Sequence, residues 1–169
     1  MDEPAIRHLT PDDRNAVMDL YRAVSSMEES GLAREADEID ADYVRMFLEK
    51  AGRNGVTLGA FLDERLVGEI HAARLGPRQF DHVLSDLTVA VHPEAQGRGV
   101  GSRLFAGFFA SVADLSPTVT RIELMVRAGN AHAIRLYERL GFVAEGRFAG
   151  RVRLRGGRIE DDIAMARKL

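Results

Sequence analysis

Residues 89–104 read VAVHPEAQGRGVGSRL, an apolar strand that passes through a glycine-rich turn straight into an amphipathic helix. Glycines at positions 97, 99 and 101 remove Cβ atoms where the backbone must approach a ligand. The free N–H groups of the new helix and the positive end of its dipole point at the same place. The turn therefore predicts a pyrophosphate site made of Gln96, Gly97, Arg98, Gly99, Val100, Gly101 and Ser102.

Two commoner phosphate-binding loops fit this turn poorly. The dinucleotide fingerprint Gly-x-Gly-x-x-Gly, counted from Gly97, has Ser102 where the third glycine belongs. The nucleoside-triphosphate loop requires Lys and then Ser or Thr after its last glycine, whereas Gly101 is followed by Ser102 and Arg103. Both departures argue against NAD and ATP as ligands.

A second motif, together with the turn, carries a resemblance to a known family. The two motifs are Gln96-x-x-Gly99-x-Gly101 and Asn130-x-x-Ala133-x-x-x-Tyr137-x-x-x-Gly141-Phe142. The pair resembles the GCN5-related N-acetyltransferase (GNAT) family, and the resemblance extends from Ile6 to Ala166. The run from Glu145 to Ala166 is similar to the branch that contains bacterial L-amino-acid and ribosomal-protein N-acetyltransferases.

The resemblance implies acetyl-CoA as co-substrate. No metal site is expected, because the five histidines show neither a His-x-x-x-His pair nor a companion thiolate cluster. In the family pattern, the pantetheine arm pairs like a strand with Val89, Ala90 and Val91, and the pyrophosphate rests on residues 96–102. Asn130 and Tyr137 close around the thioester end, and Ala133 of the same motif belongs to the cofactor-binding set.

Strand-like and helix-like patterns alternate along the chain without a linker or repeat. We predict strands at 4–9, 56–61, 66–75, 82–91 and 119–126, and a hairpin of 152–155 with 158–166 around Gly156 and Gly157. Helices are expected from the Thr10 cap to about Ser26, over 43–51, over 100–115 and over 131–140. The result is an α+β fold: a central mixed, mostly antiparallel sheet of about seven strands with helices on both faces.

The composition limits the classes of partner. The 169 residues, 46% hydrophobic and 29% charged, suit a single domain over 1–169. A net charge of −3 argues against a nucleic-acid partner. The absence of cysteine excludes disulfides, thiolate metal sites and a cysteine acyl-enzyme. The acidic start and the lack of a long apolar run favour a cytoplasmic protein without a membrane partner, as a monomer or homodimer.

Acetyl transfer to an amine requires a neutral amine, a donor for the developing oxyanion and a proton for the leaving thiolate. Near pH 7 a lysine-like amine is neutral at a cost of roughly 4.6 kcal/mol, and an α-amine at a cost of only about 1.4 kcal/mol. The oxyanion donor is expected to be a backbone N–H within residues 87–91, where the strand leaves its neighbour.

Tyr137 is the expected acid for the thiolate, because it lies seven residues beyond Asn130 and thus about two turns along the same helix face. The alternative is a core tyrosine on an amphipathic helix. Asn130 itself fits a helix N-cap, a role compatible with a hydrogen bond to pantetheine.

Carboxylates are the candidate bases for the amine. Asp86 alternates with Thr88 and Ala90 on one strand face, and Glu123 is its rival on the neighbouring strand. Glu69 and His82 rank behind them. The alternative is that these are surface charges paired with arginines.

These features predict an acetyl-CoA-dependent N-acetyltransferase that moves the acetyl group directly to a primary amine, such as an amino acid, a small amine or a protein N-terminus. The competing interpretation is a catalytically weak module that binds or senses acyl-CoA.

Overall fold

The computed structural model describes residues 3–169. Its strands are β1 (Ala5–His8), β2 (Gly55–Leu62), β3 (Arg65–Arg74), β4 (Val83–Val91), β5 (Arg121–Arg127), β6 (Val143–Arg153) and β7 (Ile159–Lys168). Its α-helices are α1 (Arg14–Ser25), α2 (Ala41–Asn54), α3 (Val100–Ala113) and α4 (Ala131–Arg139). None of these helices is long and apolar enough to cross a membrane.

The strands form one seven-stranded sheet in the order β1-β2-β3-β4-β5-β7-β6. Every neighbouring pair is antiparallel except β4 and β5, which run parallel. The predicted mixed, mostly antiparallel sheet is thus confirmed.

A separate apolar core covers each face of the sheet. On one face, α3 buries its predicted stripe of Val100, Leu104, Phe108 and Val112 against β2 to β5, and α4 adds Tyr137. On the other face, α1 and α2 bury a second cluster that reaches Leu66 and Ala90 of the sheet. The two faces therefore carry different helices, as predicted, and residues that alternate along β3 and β4 enter different cores.

The sheet opens between its two parallel strands. β4 pairs with β5 only at Val83 with Arg121 and at Leu84 with Ile122. Next along β4, Asp86 has a φ of +57°, and the pairing of β4 with β3 shifts register between His71 and Ala73. A β-bulge of this kind bends a strand and increases its twist. Residues 88–91 stay paired with β3, and no strand within residues 3–169 pairs with their other edge.

The structure corrects two predicted boundaries. β6 begins at Val143 rather than at residue 152. The sequence does not indicate this first part of the strand, because residues 143–151 are exposed, pair irregularly with β7 and lack the apolar alternation typical of a strand. Thr10 caps a short 3-10 turn over Pro11–Asp13, and the α-helix proper begins only at Arg14.

Candidate active site

The glycine-rich turn gives α3 an open, unobstructed N-terminus. Gly97 and Gly99 have φ values of +72° and +78°, in the left-handed region that L side chains rarely adopt. A Cβ atom at either position would meet nothing within 4 Å, so the space above the turn is free. The N–H of Arg103 donates to the Gly99 carbonyl at 3.1 Å, whereas the N–H groups of residues 100–102 come before it and have no acceptor within the helix. These groups can bind an anion.

Gln96 ties the turn to the end of β4. Its side-chain amide donates to the carbonyl of Val91 at 3.2 Å. Ser102 is exposed in the first turn of α3, and Arg98 is exposed just before it. Arg103 is engaged with Glu3 at 2.6 Å.

Asn130 caps α4, as predicted. Its side-chain oxygen accepts the N–H of Ala133 at 3.1 Å. About two turns beyond Asn130, Tyr137 packs in the core formed with α3 and strands β2 to β5.

Tyr137 combines a buried ring with an unpaired hydroxyl. The ring is 8% exposed and makes edge contacts with Phe105 and Phe142, at centroid distances of 6.2 Å and 5.8 Å. Its hydroxyl makes no hydrogen bond to another residue of 3–169 and is not one of the fully buried, unpartnered atoms. Burial raises the pKa of Tyr137 to about 12, so the phenol stays protonated at neutral pH.

Asp86 and Glu123, the two carboxylates predicted as bases, line the same cavity of about 150 Å³ where β4 leaves β5. Each also has a cationic neighbour. Asp86 lies 3.7 Å from the ammonium of Lys50 and is 72% exposed. Glu123 accepts from Arg121 at 2.6 Å. The structure brings the two candidates together, and both keep an ion pair that offsets their charge.

A buried polar cluster lies one strand away, on β3, and sequence reasoning missed most of it. Tyr21 of α1 donates to Glu69 at 2.5 Å, and the Nδ1 atom of His71 lies 3.1 Å from both Glu69 oxygens. Thr57 of β2 donates to the same carboxylate at 3.3 Å. Glu69 is among the candidate bases named from the sequence, whereas His71 is not. The pattern Glu69-x-His71 on a strand was the available signal, because alternate residues share a face.

The loop between α1 and α2 is anchored beside this site. Arg155, in the turn of the β6–β7 hairpin, forms an ion pair with Glu35 and donates to the carbonyl of Ser25 at 2.9 Å. Arg127 at the end of β5 donates to the carbonyl of Ser30. The loop thus borders the open end of the sheet.

Comparisons with known proteins agree with this architecture. The sequence model of the Acetyltransferase (GNAT) family matches residues 15–142, and the chain belongs to that family. A mycothiol acetyltransferase from Brachybacterium faecium is 38% identical over 90 residues, which cover 53% of this chain and 27% of that protein. The match therefore spans only about a quarter of this curated relative.

Solved structures share the fold over almost their full length. A ribosomal-protein-alanine N-acetyltransferase from Brucella melitensis superposes with a TM-score of 0.82 at 27% identity, covering 98% of this chain and 99% of that one. A phosphinothricin acetyltransferase from Sinorhizobium meliloti, crystallised with acetyl-CoA, superposes with a TM-score of 0.83 at 19% identity, covering 99% and 89%.

Proposed function

We propose that this protein is an acetyl-CoA-dependent N-acetyltransferase that moves the acetyl group directly from the thioester to a primary amine. The observation that carries the proposal is the opening between β4 and β5 beside the free N-terminus of α3. A thioester ligand with a pyrophosphate and an extended amide-containing arm matches both features.

Different residues bind the different parts of acetyl-CoA. The pyrophosphate lies on the N–H groups of residues 100–102, where the helix dipole favours negative charge. The pantetheine arm pairs with the free edge of Val89, Ala90 and Val91, in the manner of an added strand. Asn130, Ala133 and Tyr137 enclose the thioester end. Backbone N–H groups within 87–91 are the donors for the oxyanion.

Tyr137 is the donor for the departing sulfur. With a pKa of about 12 it is a much weaker acid than a thiol at about 8.5, so full proton transfer is uphill by roughly 5 kcal/mol. Tyr137 therefore acts first through a hydrogen bond to the developing thiolate, for which its unpaired hydroxyl is available. Asp86 and Glu123 line the cavity, and their carboxylates bind the cationic acceptor in competition with Lys50 and Arg121.

The comparisons support the reaction class. The curated relative is a mycothiol acetyltransferase, and one protein of the same fold binds acetyl-CoA. The ribosomal-protein-alanine N-acetyltransferase among the similar structures supports a peptide α-amine as one acceptor class to test. An α-amine also requires less from the base than a lysine side chain.

Release of free thiol from acetyl-CoA tests the proposal. In separate reactions, the protein is incubated with acetyl-CoA together with one class of amine: amino acids, polyamines or peptides that have free N-termini. We expect amine-dependent thiol release for at least one class, with the acetylated product detected by mass spectrometry. Tight binding of acetyl-CoA without turnover for any amine would instead identify an acyl-CoA-binding module.

A further inference from the structure

Within the cluster of Tyr21, Glu69 and His71, the last two residues have the geometry of a carboxylate–histidine dyad. A carboxylate can only accept hydrogen bonds, so the 3.1 Å contacts from Nδ1 of His71 to Glu69 keep the ring proton on Nδ1. The Nε2 atom then carries the lone pair. Nε2 has no hydrogen-bond partner within residues 3–169, yet it is not fully buried, so water and small groups can reach it.

The surroundings hold this imidazole in one orientation. Phe47 of α2 stacks on the ring at a centroid distance of 4.3 Å and an interplanar angle of 11°. Tyr21 donates to Glu69 from the other side at 2.5 Å and fixes the carboxylate. Glu69 is completely buried, and it has hydrogen-bond donors from Tyr21 and Thr57 but no arginine or lysine among its hydrogen-bond partners. The buried Glu69 carboxylate is therefore not held in the core by an ion pair with arginine or lysine.

The dyad faces the part of the sheet where the reaction is proposed to occur. His71 pairs with Thr88 of β4, within the segment that has left β5. Neighbouring strands are about 4.8 Å apart, so the imidazole stands one strand from the opening. Asp86 lies on the same face of the sheet as His71, because both contact α2. Lys50 of α2 lies 3.7 Å from Asp86, and Phe47 of α2 stacks on His71. The dyad thus lies on β3 beside the strand, β4, whose Ser85 and Asp86 line the acceptor cavity.

We propose that His71 is the general base for the acceptor amine and that Glu69 and Tyr21 are positioning residues. This inference rests on the proposed function. The acceptor ammonium gives one proton to Nε2 of His71, directly or across one water, and the freed lone pair forms the C–N bond as the C–S bond breaks. The nitrogen loses a second proton when the amide forms. One of the two protons ends on the thiol and the other leaves to solvent.

Other ionisable groups around the imidazole do not offer the same proton chemistry. Burial raises the pKa of Tyr21 well above its ordinary value, with the Glu69 carboxylate adding to the effect, and burial also raises the pKa of Tyr43 on α2. Both phenols therefore stay neutral during turnover. Among residues 3–169, the charged groups near this side include the pair of Lys50 with Asp86 and Arg34, which stacks on Tyr43. Across the cavity from Asp86, Glu123 and Glu145 are paired with Arg121.

The test compares kcat/KM against pH for the wild type and for His71→Gln, Glu69→Gln and Asp86→Asn, with an amine acceptor established as above. In the wild type we expect the rate to fall on the acid side of neutrality as one proton is taken up. His71→Gln should lose about 10²-fold near neutral pH and lose this dependence. Glu69→Gln should lose about tenfold, because the imidazolium formed during the reaction no longer faces a carboxylate. Asp86→Asn should keep the wild-type pH dependence.

Three further measurements keep the outcomes distinct. His8→Gln, an exposed histidine on the edge strand β1, should behave as wild type. The Kd for acetyl-CoA, measured by calorimetry, should stay within twofold in every variant. If His71→Gln does not fold, a folded His71→Ala variant should regain rate on addition of imidazole.

Several results would overturn the inference while leaving the proposed function intact. These are a wild-type rate and pH profile in His71→Gln, a wild-type rate that does not vary between pH 5 and pH 8, and a folded His71→Ala variant that imidazole does not rescue. Failure of the wild type to release thiol with any amine, despite acetyl-CoA binding, would refute the proposed function itself.

Discussion

At the scale of single residues, the two parts of the Tyr137 side chain have different roles: the ring packs in the core and the hydroxyl is available for chemistry. Its ring contributes to the core with Phe105 and Phe142, whereas its hydroxyl has no hydrogen-bond partner in the described chain. The hydroxyl is not among the fully buried atoms, so a ligand can reach it. The free hydroxyl is what the proposed reaction requires.

Tyr137→Phe is expected to lower turnover by about 10²-fold, because it deletes only the proposed donor to the sulfur. The ring stays in place, so the melting temperature and the Kd for CoA should hardly change. Steady-state kinetics and a thermal melt measure both effects. Tyr43→Phe, which also removes a tyrosine hydroxyl, is the control and should retain its rate. Near-wild-type turnover in Tyr137→Phe would remove this residue from the mechanism.

At the scale of secondary-structure elements, the N-terminus of α3 is predicted to attract the pyrophosphate. Gly99 is a poor place to test this, because its φ of +78° would strain any side chain. Ser102 is exposed in the first helical turn without that constraint. A carboxylate there would compete with a phosphate while favouring the helix itself.

Ser102→Glu should therefore weaken acetyl-CoA binding by roughly tenfold without lowering the melting temperature. Ala110→Glu adds the same charge on the same helix, about two turns further along, and should leave affinity nearly unchanged. Calorimetry and thermal melts on both variants decide the matter. Equal affinities for the two variants would argue against a phosphate site at this turn.

The contact between β1 and the start of α1 gives a stability prediction. Arg7 donates to Asp13 at 2.7 Å and 2.9 Å, and the N–H of Thr10 donates to the same carboxylate at 2.8 Å. These bonds, the one from Arg7 most of all, lower the pKa of Asp13. Its folded pKa is thus below its unfolded pKa, so the stabilisation is present above the unfolded value and is lost as pH falls through the folded one.

Asp13→Ala should reduce the free energy of unfolding by about 1 kcal/mol near pH 7, and the difference from wild type should shrink below about pH 4. Urea unfolding at several pH values measures the difference in free energy of unfolding between Asp13→Ala and the wild type. Asp12→Ala, at the exposed neighbouring position, is the control and should cost little at any pH. A loss for Asp13→Ala that persists unchanged at low pH would show that the carboxylate charge is not responsible.

At the scale of the whole molecule, ligand binding should be visible as stability. Acetyl-CoA at about 100 times its Kd is expected to add roughly 2.7 kcal/mol, which raises the melting temperature by about 5 to 10 °C for a chain of this size. NAD and ATP, whose loops the turn does not match, should leave it unchanged at the same concentration. A melt that responds to NAD but not to acetyl-CoA would refute the assignment of the turn.

Features encoded locally could be predicted from the sequence. The apolar stripe of α3, the left-handed glycines before it and the Asn130 cap depend on residues within a few positions of one another. Propensity, periodicity and capping act over the same short range, so these elements could be predicted from the sequence, and both parts of the family motif lie within them. The first half of β6 was missed because its exposed residues show no such pattern.

The tertiary structure decided which distant residues meet. Tyr21 and His71 are separated by 50 positions, and only the packing of α1 on β3 brings their side chains within 3.3 Å of each other. The bulge at Asp86 and the early divergence of β4 from β5 likewise depend on sheet order and register. Register is determined by pairing energies between strands and not by the strand itself. The sequence alone therefore determined the elements and the glycine-rich turn, and only the folded sheet placed His71 beside the segment of β4 that has left β5.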